Sequence, residues 1–450
     1  MELPHEARCL RLVKKSVQKA PSRLPRMKKE LFMMKPTGIS LLVLAAALAA
    51  AAPVAQAKTH HHAAHGAAPS AKNKDTATAG PTGPAPVPDS PAADKNTPAP
   101  PTLPQATAYT LMDATTGAIL AEAAPDLQVA PASLTKLMTA HIVFQALHGG
   151  ALKSDQVVPI SVDAWHSVGS TMFIDTTSTV TVDQLLHGLI IVSGNDAAVA
   201  LAEQVAGSTD AFVQIMNKDA AAMGMTNTVY TNVDGLPDPA EHTTAMDVAI
   251  LSRNIIASEP EFLQISKQQS YTYNNITQAS WNPVLAHDAT VDGMKTGLTD
   301  ASGHCIDATA LRGNMRMIAV VMGGPTWTSS TAAIEALLDY GQKFFTDAKV
   351  ATAGQQVDTL ASEALDSGSV AVGAGKDITL TLPADAAARV THAIAYTADL
   401  TSGATKGETL GTITYTLDGK TLATTPAVAL ADSAPASFVT KLKRKLSHFL

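Results

Sequence analysis

The sequence predicts a mixed α/β domain followed by a smaller all-β domain. From Ala108 an alternating stretch with a Thr-Gly turn precedes several helical patterns, which is typical of a sheet covered by helices. Residues 350–432 then consist of short alternating runs broken by Gly, Asp and Pro, the pattern of a small antiparallel β domain. A chain of 450 residues is long enough for both domains.

The first 57 residues have the features of a secretory signal peptide. Basic residues, including Lys28 and Lys29, precede an apolar run at 40–51 and a small-x-small cleavage pattern at 55–57. The apolar run is shorter than the roughly 20 residues that a spanning helix needs. An N-terminal anchor helix is the alternative interpretation. We expect the protein to be exported to the periplasm.

Residues 58–105 are predicted to form a disordered linker. They are rich in Ala, Pro, Thr and Lys and contain almost no large apolar side chain, so burial cannot offset the entropy lost on ordering them. A short His tract lies at 60–65, and metal binding is the alternative to a solvated linker there. We assign no metal site and no cofactor to the chain.

The elements of the α/β domain, residues 106–349, are predicted in order along the chain. The segment YTLMDATTGAILAEAA predicts a β-hairpin. Helical patterns follow near 133–148, 183–206 and 210–223, and more mixed sequence then extends to about 290. The run MRMIAVVMGG at 315–324 predicts a buried strand, and 329–346 predicts a closing helix.

The last segment, 433–450, predicts an amphipathic helix after the all-β domain. At about 100° per residue, the apolar side chains from Phe438 to Leu450 fall on one side. The rest of the helix surface is nearly all cationic, with Lys441, Lys443, Arg444 and Lys445. This pattern is typical of a helix lying in a membrane interface, and packing on the protein itself is the alternative. We expect 437–450 to attach the protein peripherally to the inner membrane.

The net charge of −7 argues against a general nucleic-acid-binding protein. It is an average over unlike parts, because residues 1–35 hold 10 Lys/Arg against 3 Asp/Glu. The remaining 22 Lys/Arg and 36 Asp/Glu give −14. Cys9 would leave with the signal peptide, so Cys305 would be the one thiol of the mature chain.

Ser133 and Lys136 form an S-x-x-K motif. Positions i and i+3 of a helix share a face, so the lysine amine can approach the serine hydroxyl. A serine needs an adjacent base to become a nucleophile, and a lysine can serve when burial lowers its pKa. The motif alone is weak, because residues 16–19 in the leader match it too.

Two further motifs make the signal specific. Ser193 and Asn195 form an S-x-N motif between an apolar run and a helical pattern, in a loop that could project both side chains into a cleft. A turn with a helix cap is the alternative there. Lys295, Thr296 and Gly297 form a K-T-G motif where a substrate strand could lie alongside, although such a triplet alone would be an ordinary turn. The order S-x-x-K, S-x-N, K-T-G is the specific feature.

With these motifs the sequence resembles the low-molecular-weight penicillin-binding proteins, the D-alanyl-D-alanine carboxypeptidases of peptidase family S11. The segments PASLTKLMTA, LIIVSGNDAAVALAE and VDGMKTGLTDASGHC carry the resemblance, which extends from about 106 to 450. It implies an α/β (α+β) transpeptidase domain like that of penicillin-binding proteins and β-lactamases, followed by the small all-β domain. It also implies a serine-type carboxypeptidase that removes the terminal D-alanine from peptidoglycan stem pentapeptides and is acylated by β-lactams.

The resemblance implies a role for each motif residue. Ser133 would attack the carbonyl between two D-alanines, and Lys136 would be the general base. Ser193 would relay a proton to the leaving D-alanine, and Asn195 would hold the substrate amide and keep Lys136 in place. The implied substrate-binding residues are Lys295, Thr296, Gly297 and Leu298. Among these, Lys295 and Thr296 would bind the terminal carboxylate, while the N–H groups of Ser133 and Leu298 would form the oxyanion hole.

The sequence departs from the family pattern after the last core strand. Family members often carry an arginine there, and residues 325–330 contain none, so carboxylate recognition is expected to rest more on Lys295. His304 is expected to be a packing residue and Cys305 a buried small residue. Asp196 is expected to cap the helix that follows it.

Two other functions compete with the carboxypeptidase. A serine β-lactamase of class A would need a deacylating Glu before an x-x-L-N sequence, and no Glu here has that context. A non-catalytic scaffold that binds the cell wall is the second alternative. The intact set of three motifs argues against it.

Overall fold

The computed structural model describes residues 97–447. The predicted signal peptide at 1–57, residues 58–96 of the predicted linker and the last three residues of the predicted tail helix lie outside the described residues. The domain boundaries predicted from the sequence therefore stay predictions.

The first part of the described chain is a mixed α/β unit. Its strands are β1 (Ala108–Asp113), β2 (Ile119–Ala123), β3 (Val157–Val158), β4 (Val180–Thr181), β5 (Ser270–Tyr273), β6 (Ile276–Ala279), β7 (Val291–Thr299), β8 (Gly303–Arg312) and β9 (Met315–Gly324). Its helices are α1 (Thr135–His148), α2 (Val162–Trp165), α3 (Val182–Ile191), α4 (Asn195–Ala206), α5 (Thr209–Met223), α6 (Ala245–Ser258), α7 (Pro260–Ser266), α8 (Val284–His287) and α9 (Trp327–Phe344). Side-chain oxygens of Thr181, Ser208, Thr244 and Thr326 cap the starts of α3, α5, α6 and α9.

Five antiparallel strands form the main sheet, in the order β2-β1-β9-β8-β7. In β9, Ile318 and Val320 face the core formed with most of the helices, whereas Ala319 and Val321 face the core beneath α9. Successive residues of a strand point to opposite faces, which explains the continuous apolar run at 315–324. Strand β7 forms one edge of the sheet, and an edge strand can pair with a further strand.

The second part is all β apart from short turns and a last helix. Its elements are β10 (Phe345–Ala351), β11 (Gln356–Ala361), β12 (Ser369–Ala374), β13 (Ile378–Pro383), β14 (Thr391–Tyr396), β15 (Thr409–Leu417), β16 (Lys420–Ala429) and α10 (Phe438–Ser447). One sheet has the order β11-β12-β16-β15-β14, and β10 pairs with β13. Asp418 and Gly419 join β15 to β16, both with positive φ, as a two-residue hairpin turn requires.

The predicted fold class, a mixed α/β domain followed by an all-β domain, is confirmed. The predicted helical pattern at 183–206 differs in detail, because the structure has two helices there, α3 and α4. The chain breaks between them at Ser193, whose φ of +61° lies in the left-handed region. Ordinary side chains rarely adopt this conformation, and it ends a helix.

Two polar side chains of helix α10 form hydrogen bonds with the all-β part. Arg444 donates to the backbone carbonyls of Glu363, Leu365 and Asp366, and Thr440 donates to the carboxylate of Asp366. Its apolar side chains are instead exposed, with Phe438, Val439, Leu442 and Leu446 between 48% and 79% accessible. In the described part of the chain, none of the helices combines the length and hydrophobicity needed to cross a bilayer.

Candidate active site

Ser133 lies in a single 3₁₀ turn, Ala132–Leu134, that leads directly into α1. The side chain of Lys136 projects from the first turn of α1, and its Nζ atom donates to Ser133 Oγ at 3.0 Å. The contact predicted from the S-x-x-K spacing is therefore present. A lysine at this distance is within reach of the serine proton.

The amine of Lys136 is buried, with 1% of the residue accessible. Besides Ser133, it donates to the backbone carbonyl of Asp234. Burial lowers the pKa of Lys136 to about 8, although the negative charges of Asp234, Glu241 and Asp196 oppose this shift. At pH 7 a group with this pKa is neutral in roughly a tenth of molecules, far more often than an exposed lysine.

A second lysine–serine pair lies across the cleft. The Nζ atom of Lys295 donates to Ser193 Oγ at 2.9 Å and to the carbonyl of Thr296 at 2.9 Å. Lys295 is 3% accessible, and its pKa is lowered, first by burial and then by the positive charge of Lys136. The S-x-N and K-T-G motifs thus meet, with the amine of Lys295 against the hydroxyl of Ser193.

Asn195 is the first residue of α4, and its amide faces the loop before α3. Its Nδ2 atom donates to the carbonyl of Val168 at 2.6 Å, while Oδ1 has no hydrogen-bond partner among residues 97–447. No hydrogen bond joins Asn195 to Lys136 within the same range, so the predicted contact between them is absent there. The unpaired, buried Oδ1 atom is suited to accept an amide N–H from a ligand.

The K-T-G strand passes very close to the serine. A Cβ atom on Gly297 would lie 3.0 Å from Ala132 Cβ and 3.1 Å from the backbone nitrogen of Ser133. A larger residue at 297 would push β7 away from the 3₁₀ turn, and so glycine is needed for this approach. The N–H groups of Ser133 and Leu298 are thereby carried on neighbouring backbone segments.

Residues from all three motifs line one cleft with a volume of about 190 Å³. Its lining consists of Ser133, Ser170, Ser193, Trp281, Thr296, Gly297, Leu298 and Trp327. The two tryptophans and Ser170 were not singled out from the sequence. Among the described residues, no group of three or more His, Cys, Asp or Glu side chains is placed to hold a metal ion.

Asp196 is not the N-cap residue of α4, although its Oδ1 atom accepts from the N–H of Ala197 in the first turn of that helix, as a capping side chain would. The helix has Gly194 at its N-cap and no side-chain cap. The Asp196 carboxylate also accepts from the backbone N–H groups of Met172 and Ile174. It thereby ties the loop containing Ser170 to the start of α4, a role that depends on a contact 22 to 24 residues away.

The region without the expected arginine is occupied by an aromatic pair. Trp327, the first residue of α9, meets His304 edge-on with ring centres 4.8 Å apart. His304 Nδ1 lies 3.2 Å from the carbonyl of Gly324, so His304 is a packing residue as expected. Cys305 is fully buried, also as expected.

The sequence and the fold both match known proteins. A family model described as D-alanyl-D-alanine carboxypeptidase matches residues 94–326, and one described as penicillin-binding protein 5, C-terminal domain, matches 345–434. The D-alanyl-D-alanine carboxypeptidase DacA of Haemophilus influenzae is 39% identical over 351 residues, which are 76% of this chain and 89% of that protein.

Two solved structures show the same likeness. Penicillin-binding protein 5 from Haemophilus influenzae matches with a TM-score of 0.68 and 37% identity, over 75% of this chain and 99% of that chain. Penicillin-binding protein D2 from Listeria monocytogenes in a cefotaxime-bound form matches with a TM-score of 0.50 and 30% identity, over 54% of this chain and 99% of that chain. The resemblance inferred from the three motifs is confirmed.

Proposed function

Because the chain belongs to the D-alanyl-D-alanine carboxypeptidases of peptidase family S11, a family of hydrolases, we propose that Ser133 is its nucleophile and Lys136 its general base. The substrate is a peptidoglycan stem pentapeptide, and the product released is its terminal D-alanine. The observation that carries the proposal is the 3.0 Å hydrogen bond between Lys136 Nζ and Ser133 Oγ in a buried site.

Acylation follows from the state of Lys136. Its neutral amine takes the proton of Ser133 as Oγ bonds to the carbonyl carbon between the two D-alanines. The lowered pKa of about 8 supports this role, because it keeps some of the amine neutral near pH 7. The N–H groups of Ser133 and Leu298 stabilise the oxyanion.

The second lysine–serine pair, Lys295 and Ser193, is proposed to act on the leaving group. The C–N bond then breaks, and Ser193 relays a proton to the nitrogen of the departing D-alanine. Lys295 and Thr296 bind the terminal carboxylate, and the substrate lies along β7 beside Gly297. The position of β7 at the sheet edge supports this arrangement, because an edge strand can accept an extended peptide. Asn195 holds the substrate amide through its unpaired Oδ1 atom. Water hydrolyses the acyl-enzyme and frees Ser133.

A β-lactam presents an amide to the same serine and remains attached after ring opening. The cefotaxime-bound form of the Listeria monocytogenes relative supports this part of the proposal. The β-lactamase alternative requires rapid release of the opened antibiotic. The scaffold alternative does not require two buried lysines with lowered pKa values beside two serines.

The protein is proposed to work outside the cytoplasm, against an anionic membrane. The signal-like segment at 1–57 supports export. The exposed apolar side chains of α10 and the neighbouring Lys441, Lys443 and Lys445 support peripheral attachment through 437–450.

A fluorescent penicillin tests the nucleophile. We expect the purified protein to become covalently labelled and the Ser133→Ala variant to lose the label completely, because no other hydroxyl in the cleft contacts Lys136. Ser170→Ala is the matched control, since it removes a hydroxyl from the same cleft and should still be labelled. The assignment would be refuted if Ser133→Ala were labelled at the normal level, or if the unaltered protein were not labelled at all.

A further inference from the structure

Glu241 is a buried carboxylate that contacts the S-x-x-K motif but belongs to none of the three motifs. It is 5% accessible and lies in the loop before α6. Its Oε1 atom accepts from Thr135 Oγ1 at 2.9 Å, and its Oε2 atom accepts from Asn232 Nδ2 at 2.6 Å. Thr135 stands between Ser133 and Lys136 in the chain. Glu241 therefore joins the start of α1 to the loop at 232–236.

That loop supplies the second partner of Lys136. The Oδ1 atom of Asn232 accepts from the backbone N–H groups of Asp234 and Gly235 at 3.2 Å and 2.6 Å. The carbonyl of Asp234 in turn accepts from Lys136 Nζ. A chain of hydrogen bonds thus leads from Glu241 through Asn232 to the atom that orients the Lys136 amine.

Close packing fixes the loop against the nucleophile. Gly235 has a φ of +80°, and a Cβ atom there would lie 1.8 Å from the carbonyl oxygen of Ala132. The loop therefore has no room to shift toward the 3₁₀ turn that holds Ser133. With Thr135 held by the same carboxylate, both sides of the Ser133–Lys136 contact depend on Glu241.

Glu241 also interacts electrostatically with Lys136. The charged and titratable groups around the two are Tyr230, Asp234 and Asp238 from the loop, Asp196 from α4 and Lys295 from β7. Burial raises the pKa of Glu241 to about 7. When ionised, Glu241 favours the ammonium form of Lys136 and so raises the pKa of that amine.

We propose that Glu241 is a positioning residue for the reaction, which holds the Asp234 carbonyl and Thr135 around Lys136 and, through its charge, sets the pH range over which Lys136 can act as a base. This inference rests on the proposed roles of Ser133 and Lys136. Glu241 does not line the cleft that contains Ser133, and its side chain bonds to Thr135 and Asn232, so it acts through Lys136.

The test is the pH profile of acylation by penicillin, measured as the second-order rate constant between about pH 5 and pH 10. The Glu241→Gln variant loses the charge and keeps one acceptor oxygen, which can serve either Thr135 or Asn232 but not both. Lys136 then loses its proton more readily, and the acid limb of the profile is expected to move to lower pH by about 0.5–1 unit. Asp300→Asn is the matched control, since it removes the same charge from an exposed position after β7 that is not among the groups around Glu241 and Lys136, and it should leave the limb in place.

Glu241→Asp separates position from charge. Its shorter side chain keeps the charge but cannot reach both Thr135 and Asn232, so the rate is expected to fall severalfold while the acid limb stays within about 0.3 unit. This variant also keeps the inference testable where Glu241→Gln does not fold.

The outcomes are distinct. An equal fall in rate at every pH in Glu241→Gln, or an unchanged profile, would overturn the inference while leaving the proposed function intact. The same limb shift in Asp300→Asn would overturn it too, because the effect would then be one of general surface charge. A wild-type protein that penicillin does not acylate would overturn the proposed function and this inference together.

Discussion

Burial sets the acid–base properties of the two lysines in the cleft. Lys136 lies against Ser133 and Lys295 against Ser193, and each lysine is almost fully removed from water. A buried ammonium loses hydration, which lowers its pKa, and each positive charge makes the other less favourable. Each lysine is therefore held beside a serine hydroxyl with a pKa below its ordinary value.

The same physics acts on Asp307, a buried carboxyl outside the proposed mechanism. Asp307 lies in β8 opposite Lys295 in the strand register, and it accepts a hydrogen bond from Ser252. Burial raises its pKa to about 7. The folded protein thus binds this proton more tightly than the unfolded chain. The resulting stability is fully present below about pH 4 and is lost as the pH rises through about 7.

Replacing Asp307 with Asn should remove that pH dependence. At pH 8 we expect Asp307→Asn to have a higher free energy of unfolding than the wild type, by on the order of 2–4 kcal/mol. At pH 5 the difference should vanish or reverse, because Asn brings a buried N–H where Asp307 Oδ1 has no partner among the described residues.

Urea unfolding at both pH values measures the effect. Asp300→Asn, which changes an exposed carboxyl after β7, is the control and should alter stability little at either pH. An unfolding free energy of Asp307→Asn that stays parallel to that of the wild type between pH 5 and pH 8 would contradict the raised pKa.

Residues in local motifs could be predicted from the sequence, whereas residues that act from a distance could not. The Ser133–Lys136 contact follows from helical spacing alone. Glu241 and Thr135 are 106 positions apart in the chain. Asp234 contributes its backbone carbonyl, and the type of its side chain does not predict that contact. The bond from Asp196 to the first turn of α4 follows from its place at a helix start, but its bonds to Met172 and Ile174 join it to another loop.

At the scale of the elements, hydrophobic periodicity predicted most of the long helices and strands. The helical patterns near 133–148 and 210–223 correspond to α1 and α5, and the apolar run at 315–324 is β9. The pattern does not predict the hairpin of β5 and β6, which lies in the mixed sequence before residue 290. Its turn, Asn274-Asn275, has positive φ at both positions, a conformation that asparagine tolerates better than most residues.

Helix α10 was predicted as an amphipathic helix with a cationic face. The structure gives one of these cations, Arg444, a contact within the protein. Arg444 contacts backbone carbonyls of the all-β part, so it fixes the helix to the protein. This contact lies far away in sequence and could not be read from a helical wheel. The apolar side chains remain exposed and are the part of the helix available to a membrane.

A triple replacement tests that surface. Changing Phe438, Leu442 and Leu446 to Ser should reduce binding of the full protein to anionic phospholipid vesicles at least tenfold, because it removes most of the exposed apolar area of α10. Co-sedimentation with the vesicles measures it, and penicillin labelling should be unchanged.

The control replaces three similarly exposed apolar residues outside the helix, Leu127, Val157 and Leu311. That variant should bind the vesicles normally. Equal binding by both variants and the wild type would contradict the role of α10 and favour its packing against the protein.

At the scale of the whole molecule, the two parts are joined closely. Helix α9 leads into β10 without an intervening loop, and Thr116 of the α/β part contacts Thr381 of the all-β part through their hydroxyls. The net charge of −7 is an average over segments of different charge, since residues 1–35 alone contribute +7. An acidic body with a basic end helix suits an enzyme lying on an anionic membrane.

The central claim is that Ser133 removes the terminal D-alanine from a stem pentapeptide. The most direct measurement is the release of free D-alanine from a purified pentapeptide by the wild type and by Ser133→Ala. We expect steady release by the wild type and at least a thousandfold lower rate for the variant, with both proteins equally folded. Release by Ser133→Ala at the wild-type rate, or an intact pentapeptide after incubation with the wild type, would contradict the account.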